Sequence, residues 1–488
     1  MIRFRKLIIT GIIALLILTL VVPIKTGQAN NSGTIDIGAV DSFLTEQVKH
    51  NRIQGLAVGI VEGDRVIFAK GYGMAAPEKP VTPKTQFYIG SVSKTFTALA
   101  VMQLVEAGKL ELDAPIQKYL PWFRVADPET SAKITIRNLL NHTSGLGESG
   151  DKNPTAFTSS LLEQGKLLKD VQPVSPVGTR FEYYNQNYRL LGLVVETVSG
   201  MPYSEYIQTR VFEPLGMTNS TTNPQNAPDL AQGYSRFFGF ALPASQPYVP
   251  GGLPSGYLIS TAEDMSGFLL AQIHNKKADG TQLLDPELLT IMRTEPEGIK
   301  SGYGMGWLVL DQGQTIGHGG SLEFFQSFIL IHPNQQTGLV ILINQNSLES
   351  MQFENNSVRN GLLALLQGSQ PENNSYGWIG WVLLTLFAAD LLNHFRLFAS
   401  LKNWAVKARK QKQIRVWIKV VTKIILPLFI IVGIPLVVST IKGGAPNWSE
   451  PFKYAPDLIM WLLVGMGLNL IRNIIRAVML LNRSRANE

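Results

Sequence analysis

The run Tyr88-Ile-Gly-Ser-Val-Ser-Lys-Thr-Phe-Thr-Ala-Leu99 decides how this chain is read, because Ser91 and Lys94 stand three positions apart at the start of an apolar stretch. Residues three apart on a helix lie nearly above one another, so the lysine amine there reaches the serine hydroxyl. Val92, Phe96, Leu99 and Val105 supply apolar positions for a helix over Ser91–Gly108, with Gly90 leading in. Ser91 then sits at a helix start, where unpaired N–H groups and the macrodipole favour developing negative charge. The S-x-x-K pattern occurs by chance about once or twice in a chain this long. Ser149-Gly-Asp-Lys152 is such a match, in a Gly-rich, turn-forming stretch that would not hold the two side chains in register.

A serine hydroxyl needs a base within reach and donors for the oxyanion it creates. Lys94 is the first candidate base, provided that desolvation or nearby cations lower its pKa. Tyr183, in Arg180-Phe-Glu-Tyr-Tyr-Asn-Gln-Asn-Tyr188, is a second proton handler, since a phenol beside an ammonium ionises more easily. Asn185, two residues on, carries an amide that can hold the lysine or a substrate. A third element, Ile316-Gly-His-Gly-Gly-Ser321, lies between β-like runs. Its small residues let a strand edge approach a substrate, and a backbone N–H there completes an oxyanion hole with that of Ser91.

The strands come from the two ends of a long central segment. Gly55–Val61 and Arg65–Lys70 flank the turn Glu62-Gly-Asp64, and Met305–Leu310, Gln326–His332 and Thr337–Asn344 form a second β-rich group. Between them, Tyr188 to Gly200 and Thr261 to Leu270 have helical patterns, and a terminal helix follows over about Glu354–Leu366. These patterns predict one antiparallel sheet built from both ends, a mainly helical lobe from the middle, and a site in the cleft between them.

At 488 residues and 45% hydrophobic content the chain holds more than a globular body. Met1–Lys6 is basic, Leu7–Val22 is apolar or small, and Gly27-Gln-Ala29 is a small-residue cleavage site, so residues 1–29 are an export signal, cleaved after Ala29 or retained as an anchor. Tyr376–Leu392, Ile424–Ile441 and Leu458–Leu481 are each long enough to cross a bilayer. Residues 30–370 then form an extracytoplasmic domain, Gln367–Ser375 a tether, and residues 371–488 a three-helix transmembrane region. Between the first two spans, Arg396, Lys402, Lys407, Arg409, Lys410, Lys412, Arg415 and Lys419 occur with no acidic residue, which places that loop in the cytoplasm. Asp390 near the inner end of the first span is expected to snorkel or pair with Arg396. The net charge of +7 does not indicate a nucleic-acid partner, because Asn30–Glu372 carries 24 Lys+Arg against 32 Asp+Glu, a net of −8. The basic loop has a looser reading as a contact for anionic lipid headgroups. The absence of cysteine excludes disulfides and thiol chemistry. Six scattered histidines give no metal site and no cofactor is expected; His142 is read as a turn histidine rather than a base.

Taken together, Ser91-Val-Ser-Lys94, Tyr183-Tyr-Asn185 and His318-Gly-Gly320 resemble, in order and spacing, the three motifs of serine β-lactamase and penicillin-binding-protein-like hydrolases, particularly the class C and D-alanyl-D-alanine peptidase branch. Leu139-Leu-Asn-His-Thr-Ser-Gly-Leu146, Glu213-Pro-Leu-Gly-Met217, Ser260-Thr-Ala-Glu-Asp264 and Tyr303-Gly-Met-Gly-Trp307 look like the family's recurring segments. The resemblance covers about Asp36–Leu366. It implies an α/β fold of the β-lactamase/transpeptidase type, followed by an all-α membrane segment. It also implies Ser91 as acylated nucleophile, Lys94 and Tyr183 as proton handlers, Asn185 as partner of lysine and substrate, and an oxyanion hole from Ser91 and Ser321. His318, Gly320 and Ser321 would contact the substrate. Where the β-lactamases usually carry lysine this chain has His318, which favours peptide, amide or ester substrates over β-lactams. The layout of an exported hydrolase followed by three membrane helices is similar to that of peptidases that remove an acylated D-asparagine cap from prodrug-like precursors. The competing readings are a β-lactamase and a non-catalytic receptor for penicillin or cell-wall peptides. The expected partners are thus a small substrate and the lipid bilayer; no oligomeric state follows from the sequence.

Overall fold

Gly55–Glu62 (β1) is buried along nearly its whole length, as expected for a strand covered on both faces. It pairs antiparallel with Arg65–Ala76 (β2) on one side. On the other side it pairs with the last strand of the body, Leu56 opposite Ile343 through Glu62 opposite Thr337. With Lys79–Pro80 (β3), Leu308–Leu310 (β4), Thr315–Ser321 (β5), Gln326–His332 (β6) and Thr337–Ile343 (β7) the sheet has the order β3-β2-β1-β7-β6-β5-β4. Strands from both ends thus share one antiparallel sheet, as the sequence patterns predict. The computed structural model describes residues 35–151, 160–347, 350, 355–442, 448, 452 and 455–485. The export signal at 1–29 lies outside the described residues.

Alternation along β1 divides the core. Leu56, Val58 and Ile60 face Ile37–Asn51 (α1) and Asn355–Leu366 (α5), in a cluster with Phe43, Leu44 and Leu362. Ala57 and Val61 face the larger core, which contains Ser93–Glu106 (α2), Asn185–Ser199 (α3) and Ala262–His274 (α4). Helix α2 is buried on almost every side, from Ser93 to Met102 without interruption, which takes Lys94 out of water along with the apolar residues. Helix α3 ends at Gly200, whose φ of 71° supplies the left-handed cap that its sequence position predicts.

Several boundaries differ from the expectations. Met305–Leu310 is a strand only over Leu308–Leu310, because Gly306 turns at φ 82° and Gly304 N–H bonds back to the Trp307 carbonyl. Helix α4 runs past Leu270 to His274, until left-handed Asn275 caps it. The segment 367–375 is not a free tether. The Asn374 carbonyl accepts from Asn51 Nδ2 (3.5 Å) and Ser357 Oγ (3.4 Å), and Tyr376 N–H donates to Asn51 Oδ1 at 2.7 Å.

Beyond it come Ile379–Ala399 (α6), Leu401–Arg409 (α7), Gln413–Lys442 (α8) and Pro456–Arg485 (α9). Helices α6, α8 and α9 are long and apolar enough to cross a membrane, with mean hydropathies of 1.4, 2.5 and 1.8 in their spanning windows. They dock on the body through a hairpin of Gly233–Phe237 and Phe240–Ala244. At its tip Phe238 stacks on Phe387 with ring centroids 5.2 Å apart, and its N–H donates to Asp457 Oδ2 at 3.3 Å. Asp390 does not pair with Arg396. It accepts from Trp461 Nε1 at 3.2 Å and lies 3.7 Å from His394 Nε2, because α9 packs against that face of α6.

Candidate active site

Ser91 sits in a 3-10 turn, Gly90–Val92, immediately before α2, so the regular helix begins two residues later than the sequence suggests. The turn is clamped to the sheet by the absence of side chains. Gly90 has φ +50°, and a Cβ there would lie 2.6 Å from the Ser321 backbone nitrogen. A Cβ on Gly320 would lie 2.2 Å from both the Ile89 carbonyl oxygen and Ser327 Oγ. Ser327 Oγ donates to that same carbonyl at 2.6 Å. Strand β5 therefore presses directly on the turn and brings the Ser321 main chain beside it.

Lys94 Nζ has three partners: Ser91 Oγ at 3.0 Å, Asn185 Oδ1 at 2.8 Å and the Ser255 carbonyl at 2.6 Å. Burial holds its pKa well below 10.5, and the Arg189 guanidinium lowers it further. The amide oxygen and the carbonyl can only accept, so Lys94 donates to both, and its third partner is the Ser91 hydroxyl, a group able to donate as well as accept.

Tyr183 hydrogen-bonds to Ser91, and the Lys94 nitrogen lies 4.9 Å from its ring centroid. It is 36% exposed, but into the site cavity rather than onto an open face. Burial raises its pKa, and the bond to Ser91 offsets only part of this. Burial thus outweighs the easing expected from an ammonium neighbour, and Tyr183 is a neutral phenol that can pass protons without resting as a phenolate. Its position is set from both sides by His142, a residue in the left-handed region at φ 55°. The His142 carbonyl accepts from Glu182 N–H (2.8 Å) and its Nδ1 from Tyr184 N–H (3.2 Å), while the ring lies 4.5 Å from that of Tyr183. The turn histidine of the sequence reading thus also backs Tyr183 from behind the site.

His318 is buried, with Nδ1 2.7 Å from the Gly319 carbonyl and Nε2 3.1 Å from the Tyr303 hydroxyl. The carbonyl can only accept, so Nδ1 carries the proton and Nε2 accepts from Tyr303. Burial, then Lys94, push its pKa down to about 3. A neutral ring with both nitrogens engaged cannot replace a lysine as a cation. The cavity supplies one elsewhere. Its volume is about 360 Å³, and Ser91, Tyr183, His318, Gly320, Ser321 and Arg359 are among its lining residues. Arg359 comes from α5 with its guanidinium 5.4 Å from the Phe328 ring centroid. It is the only Lys or Arg among the described lining residues.

All seven site residues named from sequence therefore converge: Ser91, Lys94, Tyr183 and Asn185 in one hydrogen-bonded group, His318, Gly320 and Ser321 on the facing strand. Arg359, Tyr303, the Ser255 carbonyl and Arg189 were not foreseen. Tyr303 and His142 lie in segments recognised by their pattern, whereas Arg359 carries no local signal. In the decoy Ser149–Lys152, Asp151 Oδ2 accepts from Tyr184 O–H at 2.5 Å, and Lys152 lies outside the described residues.

An antiparallel sheet between helices, with a serine held against a buried lysine, defines the serine acyl-transferase class. Residues 40–363 match the family model described as Beta-lactamase, and the chain belongs to that family of acyl-transferases and hydrolases. It is 26% identical to Protein flp of Staphylococcus aureus (strain COL), with 87% of each chain covered, an extent that reaches beyond residues 40–363. It is 29% identical to penicillin-binding protein 4 of Amycolatopsis lactamdurans, over 62% of this chain and 83% of that one. Among solved structures, the octameric penicillin-binding protein homologue from Pyrococcus abyssi superposes with a TM-score of 0.60 at 30% identity, covering 69% of this chain and 78% of that one. A class C β-lactamase superposes at 0.55 and 23% identity, covering 65% of this chain and 94% of that one, a likeness of fold.

Proposed function

We propose that this chain is a membrane-anchored serine hydrolase, with its catalytic body on the extracytoplasmic face, that acts through an acyl-enzyme at Ser91. The observation that carries this reading is the buried Lys94 amine 3.0 Å from Ser91 Oγ, its pKa held well below 10.5. In the proposed reaction the amine takes the Ser91 proton as the oxygen attacks the substrate carbonyl carbon. The Ser91 and Ser321 N–H groups receive the oxyanion. Tyr183 relays the proton to the leaving nitrogen or oxygen, whose bond to the carbonyl carbon breaks. Water then attacks the ester on Ser91, losing its proton to the same amine and phenol pair; the bond between Ser91 Oγ and the carbonyl carbon breaks, Ser91 takes that proton back, and the acid product leaves. The orientation is supported by the acid-free basic run from Arg396 to Lys419, which the positive-inside rule places in the cytoplasm.

The proposed substrates are peptides, amides or esters, with an acylated D-amino-acid amide as the narrower class suggested by the membrane bundle. Intact-mass labelling with a fluorophosphonate is expected to give one adduct per chain, absent in Ser91→Ala. An adduct that persists in that variant would sink the assignment. Arg359 is the proposed anchor for a substrate carboxylate. Arg359→Gln should raise KM for carboxylate-bearing peptides roughly tenfold or more, the size of a lost charge-assisted hydrogen bond, and leave neutral esters unchanged. Equal effects on both substrate types would remove Arg359 from recognition.

A further inference from the structure

At the end of the membrane bundle away from the catalytic body, helices α7, α8 and α9 enclose a cavity of about 110 Å³. Trp404, Gln411, Lys419, Lys423, Asn473 and Arg476 line it, and no carboxylate is among its described lining residues. Lys419 and Lys423 are one turn apart on α8 and share a face. Arg476, from α9, is 8% exposed. Its Nη1 donates to Asn473 Oδ1 at 3.1 Å, and its guanidinium lies 4.8 Å from the Trp404 ring centroid. Its Nε is buried with no hydrogen-bond partner among the described residues. Asn473 is itself fixed, with Nδ2 donating to the Asn469 carbonyl at 2.7 Å and to Asn469 Oδ1 at 3.0 Å. Three cations around one small space repel each other, and a buried guanidinium with an unused N–H is costly unless an anion completes it.

We propose that this cavity binds a phosphate group, carried by an anionic phospholipid headgroup or free as inorganic phosphate. The space holds about three or four waters, or one phosphate in their place. Arginine offers a planar donor fork and the lysines offer point charges, the usual division of labour around phosphate. The position suits a headgroup. Asp457 meets the catalytic body at one end of α9, and Arg476 lies 19 residues further along, about 28 Å at 1.5 Å per residue. That is about the thickness of a bilayer's hydrocarbon core, so the cavity sits level with the opposite headgroup layer.

Native mass spectrometry of the delipidated full-length protein in detergent tests the site, with phosphatidylglycerol, phosphatidylcholine and inorganic phosphate as separate probes. Phosphatidylglycerol or inorganic phosphate is expected to be retained well above phosphatidylcholine. Retention of the lipid alone assigns the site to a headgroup, and retention of inorganic phosphate assigns it to the free anion. Arg476→Gln should weaken retention roughly tenfold, and Lys419→Gln combined with Lys423→Gln by at least as much. Both lysines are exposed, so the double variant decides the matter if Arg476→Gln does not fold. Lys402→Gln, on an exposed position of α7 outside the cavity, should leave retention unchanged. Retention no better than that of phosphatidylcholine, an unaffected double variant, or an equal loss in Lys402→Gln would each overturn the proposal.

Discussion

Lys94→Met is expected to slow acylation of Ser91 by about 10³- to 10⁴-fold while the protein still folds. Methionine fills nearly the same space but has no lone pair for the serine proton. Lys94→Arg should be as inactive at every pH, because a guanidinium does not give up its proton. The pH dependence follows from the same burial. The folded pKa of Lys94 lies well below 10.5, so acylation by the native protein should be lost as pH falls through that folded value. Stability has the same sign. Between the folded pKa and 10.5 the unfolded chain binds a proton that the folded chain does not, so this site makes stability rise with pH by up to about 1.4 kcal/mol per unit. Thermal unfolding of Lys94→Met across that window should lack this rise. Rapid fluorophosphonate labelling of Lys94→Arg would take the amine out of the mechanism.

Gly320→Ala is the second large effect. The added methyl would stand 2.2 Å from the Ile89 carbonyl oxygen, a main-chain atom leading into the Ser91 turn. The backbone must move, and strand β5 separates from Ser91. Loss of the Ser321 N–H from an oxyanion site should lower the acylation rate by about 10²- to 10³-fold. Overpacking should lower stability by about 1–3 kcal/mol. Gly319→Ala is the matched control, since its Cβ would meet nothing within 4 Å. It should behave as the native protein in both labelling rate and thermal unfolding. Equal rates for the two variants would mean that the close approach of β5 does not matter to the chemistry.

Much of this site was legible in the chain because its parts are short local motifs. The S-x-x-K turn, the Tyr183–Asn185 segment and the His318–Gly320 strand each carry their residues at fixed spacing, and the short, nearly continuous apolar runs Gly55–Val61 and Thr337–Asn344 announce buried strands. The docked segment before the bundle was less legible, because a polar stretch such as 367–375 looks like a linker until its partners, Asn51 and Ser357, are in place. Arg359 gave no signal at all, since a lone arginine on an amphipathic helix differs from a solvated one only in what the fold sets opposite it.

By itself the sequence determined which groups are present: a serine and a lysine one turn apart, a tyrosine and an amide to serve them, and three apolar segments flanking a basic run. Only the tertiary structure decided the protonation states. The pKa of Lys94 lies well below 10.5 because the fold takes its amine out of water and sets the Arg189 guanidinium against its charge. His318 is neutral because burial disfavours its charged form. A pKa depends on desolvation and on every charge within a few ångströms, and those neighbours come from chain segments whose proximity no local pattern encodes.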